Sequence, residues 1–324
     1  MPLFTLDELE STLATVRAFV PPTPAYAWSL LASRCGAEVI VKHENHTPTG
    51  SFKARGVLAY VDALRRADRM PKGLVTATRG NHGQSVAIAA ARCGIPAIIV
   101  VPEGNSPEKN AAMEAFGGQL VTAGKDFDES RVVAAEVQHQ RGYHFVPAFH
   151  RELVKGVATY AYELFTSCPG LDVVYVPIGI GSGICGLITV RDLLGLKTEI
   201  VGVVAEGAPA FALSFEAGRP VKTNTARTFA DGLACRDPQP EAFEVIAAGA
   251  ARIVLVSEDE IAEAIRIYYT TTHNPAEGAG AAPLAALLTE KHRYAGKRVG
   301  LILSGGNIDM ATFAQILRGE TPAV

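Results

Sequence analysis

Long apolar runs are missing from this chain: no stretch approaches the roughly 18–20 apolar residues that a membrane-spanning helix requires. An excess of basic charge is missing too. The 30 Lys and Arg residues face 33 Asp and Glu, a formal net charge of −3, which supplies no field for holding a nucleic-acid backbone. Cysteine is scarce and irregular. Cys35, Cys93, Cys168, Cys185 and Cys235 are odd in number and none stands in a Cys-x-x-Cys pair, so neither a zinc site nor a disulfide framework is indicated. They are expected to be reduced thiols, most of them buried. The opening residues, Met-Pro-Leu-Phe-Thr-Leu-Asp-Glu, lack the cationic and apolar regions of a signal peptide, and the expectation is a cytoplasmic protein. No Gly-x4-Gly-Lys stands ready for a nucleoside triphosphate. Repeats, low-complexity tracts and linkers rich in Pro, Gly or Ser are absent as well.

What is present is a globular composition. With 324 residues, 48% of them hydrophobic, the chain can bury a sizeable core as two lobes or as one large unit. Short β-branched runs alternate with longer helical patterns. Val39–Lys42, Leu74–Thr78, Ala97–Val101, Gln119–Thr122, His144–Val146, Val173–Pro177, Ile200–Ala205, Arg252–Val256 and Arg298–Leu303 read as strands, several continuously apolar as buried parallel strands should be. Thr5-x-x-Glu8 and Ser257-x-x-Glu260 are capping-box helix starts, and other helices are expected to end at Gly94 and Gly117. Asp126, Asp128 and Glu129 read as a solvated first helical turn. The pattern predicts an open, mostly parallel α/β architecture with helices on both sheet faces.

In such sheets ligands gather where strand C-termini meet helix N-termini, because unpaired N–H groups and the helix dipole favour anions there. Four segments occupy such junctions. Ser51-Phe52-Lys53-Ala54-Arg55-Gly56 places a lysine beside an aromatic ring at a helix start, and Thr78-Arg79-Gly80-Asn81-His82-Gly83 follows the second strand. Gly179-Ile180-Gly181-Ser182-Gly183 offers a nest of backbone donors suited to phosphate, and Ser304-Gly305-Gly306-Asn307 follows the last strand. Taken singly, each has an ordinary reading: Lys53 as a solvated lysine, Asn81 as a helix N-cap, Ser304 as a turn residue, the glycines as tight packing. A dinucleotide-binding reading draws on Glu206 at the end of the next strand, but Ile184 stands where the third glycine belongs.

In order and together, these segments resemble the fold-type II pyridoxal-phosphate enzymes, in the branch of threonine/serine dehydratases and serine racemases. The resemblance runs from Pro22-Thr23-Pro24 to Asn307. It implies a tryptophan synthase β-like fold of two open, mostly parallel lobes. A large cofactor-binding domain would comprise residues 1–46 and 147–324, and a small domain residues 47–146. It implies pyridoxal 5'-phosphate as cofactor, carried on Lys53 as a Schiff base with Phe52 beside its ring. Asn81 would hold the phenolate oxygen, Gly179, Ile180, Gly181, Ser182 and Gly183 the phosphate, and Ser304 the pyridine nitrogen. Thr78, Arg79, Gly80, Asn81 and His82 would meet the substrate, His82 through its backbone N–H. A homodimer is the family expectation.

Three departures from the family pattern sharpen the reading. Arg79 stands where serine racemases carry the second-face acid/base serine, and a guanidinium stays protonated, so racemisation is disfavoured. Arg79 either turns to solvent or faces the substrate, where it could bind a carboxylate, a phosphate or an aromatic ring. Ile180 and Ser182 interrupt the four consecutive glycines of dehydratases, with the Ser182 hydroxyl a further donor. Ala212 replaces the acid that a racemase-type divalent-metal site near Glu206 requires, so no metal is expected. The short stretch after Ser304 leaves no room for the regulatory domain of biosynthetic threonine dehydratases, and isoleucine feedback is not expected.

Glu277 opens the helix before the last strand; the resemblance puts its neighbourhood near the pyridine edge, while helix-dipole pairing explains it equally. His43, His46, His144, His150 and His273 form no ligand spacing. The expectation is a lyase that converts a 3-hydroxy amino acid, threonine or serine by default, to a 2-oxo acid and ammonia by α-proton abstraction and β-elimination. Phenylserine and 3-hydroxyaspartate are the alternatives Arg79 raises. A racemase, a β-replacement synthase and a non-catalytic nucleotide-binding module remain as rivals.

Overall fold

The structure is a computed structural model and describes residues 2–324. Ten strands form two separate sheets: β1 (Ala25–Ala27), β2 (Glu38–His43), β3 (Leu74–Ala77), β4 (Ala97–Val101), β5 (Gly118–Thr122), β6 (His144–Phe145), β7 (Val173–Pro177), β8 (Glu199–Ala205), β9 (Arg252–Val256) and β10 (Arg298–Leu303). The larger sheet has the order β1-β2-β10-β7-β8-β9 and the smaller β5-β4-β3-β6. Every pairing is parallel except β1 with β2, where Ala25 lies opposite Lys42.

The apolar runs are continuous because both sheet faces are covered. In β7, Val173 and Tyr175 enter one core while Val174 and Val176 enter the other. The smaller sheet repeats this: Ile99 and Val101 of β4 face one cluster and Ile98 and Val100 the opposite one. Each such side chain, wholly removed from water, contributes roughly 1.5–3 kcal/mol before chain entropy is counted.

All nine predicted strands form, with ends shifted by one residue or none. The tenth, β1, is three residues of Ala-Tyr-Ala following Pro24, too short to show alternation. Both capping boxes are made, with Glu8 N–H donating to Thr5 Oγ1 at 3.2 Å and Glu260 N–H to Ser257 Oγ at 3.3 Å. Asp126 caps the helix Phe127–Arg141 by accepting from the N–H groups of Asp128 and Glu129. Cys35, Cys185 and Cys235 are buried, Cys93 is exposed, and all five thiols are free. No helix among the described residues is long and apolar enough to cross a membrane.

Helix Lys53–Arg66 crosses helix Arg151–Ser167 at two glycines. A Cβ on Gly56 would sit 2.9 Å from the Leu153 carbonyl, and one on Gly156 would run into the Arg55 carbonyl. The glycine that closes Ser-Phe-Lys-x-Arg-Gly is therefore needed for close helix approach, and this packing sets the height of Lys53 above the sheet.

Candidate active site

The C-terminal ends of the strands open onto a cleft of about 760 Å³ lined by Lys53, Thr78, Arg79, Gly80, Asn81, His82, Gly179, Ile180 and Glu277. Helices beginning at Lys53, Asn81, Ser182 and Gly278 all start beside it, and none has a side-chain cap on its first turn. The helix Phe127–Arg141, which also starts at the cleft, is capped by Asp126, and away from the cleft Thr5, Ser106, His150 and Ser257 cap their helices while those starting at Ser29, Ala210 and Met310 are uncapped. Uncapped N-termini leave N–H groups and positive dipole ends to a bound anion.

Lys53 is half-buried, with Nζ 5.3 Å from the centroid of the Phe52 ring. Burial pushes its ammonium below the ordinary lysine value, and the nearby Glu277 only partly opposes that. A neutral amine is the form that can attack a carbonyl or take a proton. The Phe52 ring packs edge-on against Tyr160 at 6.0 Å, and the Tyr160 hydroxyl donates to the Gly183 carbonyl at 3.2 Å. Those contacts connect the lysine turn to the glycine loop.

The last strand binds the other segments together. Phe52 N–H donates to the Ser304 carbonyl at 3.1 Å, Gly306 N–H to the Gly50 carbonyl at 3.0 Å, and Glu277 N–H to the Gly305 carbonyl at 3.1 Å. Ser304 is buried behind the cleft wall. Asn307 Nδ2 donates to the Thr49 carbonyl at 2.8 Å and to Asn81 Oδ1 at 2.7 Å. Gly50 has φ +68°, and a Cβ there would strike the Asn307 amide.

Asn81 is not an N-cap. Gly80 takes that place, and the Asn81 amide donates to both Glu277 carboxylate oxygens at 2.9 and 3.0 Å. Glu277 occupies the N-cap position of its own helix but makes no capping bond, so its carboxylate serves the cleft and not the helix. Burial raises its pKa, while Asn81, Lys109 and Lys53 favour the ionised form.

In the glycine loop each glycine has its own cause. A Cβ on Gly179 would collide with the Gly232 carbonyl; Gly181 has φ +105°; a Cβ on Gly183 would lie 3.2 Å from the Tyr160 hydroxyl. Ser182, the first helical residue, is buried, while Ile180 lines the cleft.

Thr78 is buried, and its hydroxyl accepts from Gly80 N–H at 3.1 Å. His82 Nε2 lies 3.5 Å from the Val146 carbonyl, and burial lowers its pKa to about 4. The Arg79 side chain is 48% exposed and 4.0 Å from Asp231, whose carboxylate is taken by Lys109 at 2.7 Å. Two other cleft cations are matched, Lys222 with Asp237 at 2.7 Å and Arg236 with Asp128.

Behind Lys53 lies a buried ionic cluster. Arg55 donates from Nε to Glu44 at 2.8 Å and from Nη1 to Glu163 at 2.9 Å, while Lys42 Nζ meets Glu163 at 2.6 Å. Thr23, Thr159 and the Thr23 carbonyl fill remaining bonds. Burial works against the Arg55 charge, but Glu44 and Glu163 hold its pKa above the ordinary value; Arg55 and Lys42 outweigh burial at Glu163 and keep its pKa low.

The structure thus brings all four predicted segments around one cleft. Lys53, Thr78, Arg79, Gly80, Asn81, His82, Gly179 and Ile180 line it, whereas Phe52, Gly181, Ser182, Gly183 and Ser304 stand behind the lining. Sequence reasoning named Asn307 as the end of the Ser-Gly-Gly-Asn turn without giving it a role, missed Lys109 and Asp231, and left Glu277 between a place near the pyridine edge and helix-dipole pairing. The Lys109 to Asp231 pair joins distant segments and has no local signal.

Comparison with known proteins gives a concordant result. The family described as pyridoxal-phosphate dependent enzyme matches residues 16–305. An L-threonine ammonia-lyase of Thermotoga maritima is 34% identical over 97% of this chain and 78% of its own length. A phenylserine dehydratase of Ralstonia pickettii is 34% identical over 96% of each chain. Among solved structures, the processed form of threonine deaminase isoform 2 from Solanum lycopersicum superposes with a TM-score of 0.88 at 30% identity, covering 98% of this chain and 95% of that one.

Proposed function

The chain belongs to the pyridoxal-phosphate dependent enzyme family, and we propose that within it the protein is an ammonia-lyase converting a 3-hydroxy amino acid, L-threonine or L-serine in the first instance, to a 2-oxo acid and ammonia. The observation that carries this reading is Lys53: an amine biased by burial toward its neutral form, at the wall of a cleft onto which four uncapped helices open.

The residues fit the cofactor. Gly179, Gly181 and Gly183 are required as glycine by the Gly232 carbonyl, a left-handed φ and the Tyr160 hydroxyl respectively, and the loop's backbone N–H groups with the Ser182 hydroxyl would hold the phosphate. Asn81 would donate to the phenolate oxygen, and Ser304, a neutral hydroxyl, would meet the ring nitrogen without protonating it. When bound, pyridoxal phosphate supplies a carbonyl for the substrate amine and a ring that withdraws electrons from Cα.

Lys53 then does the proton work. Once released by the substrate, Lys53 Nζ would accept the Cα proton, with the advantage of being held beside it. The Cβ hydroxyl would then leave as water, taking the added proton from the Lys53 ammonium so formed. The product enamine would hydrolyse to 2-oxo acid and ammonia; the water lost equals the water gained. Ser304 in place of a carboxylate favours prompt elimination over a persistent carbanion. A second-face base for racemisation is lacking at Arg79, which stays protonated.

Arg79 favours a second reading of the substrate. Its ion pair with Asp231 is long, 4.0 Å to Oδ1, while Lys109 holds Oδ2 at 2.7 Å, so most of the guanidinium donors are left to meet a carboxylate or an aromatic ring on the substrate, as in 3-hydroxyaspartate or phenylserine. Assay of ammonia and 2-oxo acid from threonine, serine, phenylserine and 3-hydroxyaspartate tests both readings. Oxo acid from at least one is expected, and none from any contradicts the lyase. Arg79→Ser should lower kcat/KM for an anionic or aromatic substrate about tenfold or more, the scale of a charged hydrogen bond, and an unchanged ranking makes Arg79 a bystander.

A further inference from the structure

Glu277 has no part in the steps above, yet it is the acid around which the cleft is arranged. Its backbone N–H is held by the Gly305 carbonyl, and its side chain fills the space a Cβ on Gly305 would need. The Asn81 amide nitrogen makes a forked bond to the carboxylate, 2.9 and 3.0 Å from its two oxygens, which one N–H can form with the second left for the cofactor, while Asn81 Oδ1 accepts from Asn307 at 2.7 Å. An ionised carboxylate can only accept. It therefore dictates that Asn81 present its nitrogen to Glu277 and its oxygen to Asn307, a choice an amide pair alone leaves open.

We propose that Glu277 is a positioning residue of the catalytic cleft, which fixes the orientation of the Asn81 amide and sets a negative charge facing the Lys53 amine. The inference rests on the reading of the cleft as a pyridoxal-phosphate lyase site. The charged groups facing Glu277 are Lys53, Lys109 and, as a like charge, Asp231; His82 adds to those facing Lys53. Burial favours the neutral amine and the neutral acid, and the two side chains oppose that for each other. Glu277 thereby limits how far burial lowers the basicity of the Lys53 amine, which must take a Cα proton.

The test uses cofactor-free protein mixed with pyridoxal phosphate, with uptake followed by the visible band across a pH series. Uptake requires neutral Lys53, so its rate rises through the amine's pKa. In Glu277→Gln the midpoint should fall by about one pH unit, the smaller end of what a nearby opposite charge imposes. In the holoenzyme kcat should drop about tenfold with KM changed less than threefold. Glu277→Asp keeps the charge but shortens the reach, so it should retain the midpoint while lowering kcat. It also tests the proposal if the Gln variant does not fold. An unmoved midpoint in Glu277→Gln, or a Glu277→Asp midpoint displaced downward by a full unit, overturns the proposal. Wild-type protein that takes up no pyridoxal phosphate overturns the enzyme reading itself, a separate failure.

Discussion

Two groups of charges lie on opposite sides of the Lys53 turn. Behind it, Arg55, Lys42, Glu44 and Glu163 form a closed set of two cations and two anions, wholly or nearly buried, with the guanidinium bonded through Nε, Nη1 and Nη2. In front of it, Lys53 and Glu277 share a cleft in which each is pushed toward its neutral form, and Arg79 stands 4.0 Å from an acid already engaged. At the back, Arg55 and Glu163 have their pKa values moved so that their charges are secured; at the front, Lys53 and Glu277 have theirs moved so that charge is more easily given up. Burial is common to both, and completeness of partnering decides the difference. An arrangement of the second kind is where reactive groups are found.

The largest effect should come from breaking the complete side. Arg55→Met leaves Glu44 and Glu163 facing Lys42 alone, and a buried pair broken on one side loses about 3–5 kcal/mol, readable as a lower urea midpoint. Pairing it with Glu44→Gln should recover part of the loss. If the single variant is within about 0.5 kcal/mol of wild type, a surface-like value, the cluster is not the anchor described.

A smaller effect of opposite sign is expected on the incomplete side. In cofactor-free protein, Lys53→Met should stabilise by something on the order of 1 kcal/mol, the usual gain when a functional residue is relieved. The sign follows from the direction of the shift. With its pKa lowered by folding, the Lys53 ammonium opposes folding below the folded pKa, and that opposition disappears as pH rises past the unfolded value of about 10.4. The gain should therefore be largest at low pH and shrink as pH rises toward about 10.4, and thermal melts across a pH series from pH 6 upward check it. A variant less stable than wild type at pH 6 would place Lys53 with the anchored group.

The two sides also differ in how far the sequence reveals them. Lys53, Asn81, the glycine loop and Ser304 follow strands whose apolar runs are continuous, so the general rule for ligands at strand ends finds them. The central strands β2, β3, β4, β7, β8 and β10 are legible because they are buried on both faces, while β5, β6 and β9 at the sheet edges are only partly buried. Glu277 stays undecided between the pyridine edge and helix-dipole pairing because its place at a helix start is local information, while its bond to Asn81 crosses 196 positions. The Arg55 cluster is harder still: Lys42 reads as the polar end of an apolar strand, and Glu163 lies in a helix 121 residues away. Long-range charge pairing leaves no period in a sequence, whereas burial does.

The central claim is that Lys53 is the reactive amine of the cleft. Borohydride reduction of the protein loaded with pyridoxal phosphate, followed by peptide mass spectrometry, tests it directly. A pyridoxyl adduct on the peptide containing Lys53, absent from Lys53→Ala, is the predicted result. An adduct that persists in Lys53→Ala, that sits on Lys109 instead, or that never forms would contradict it.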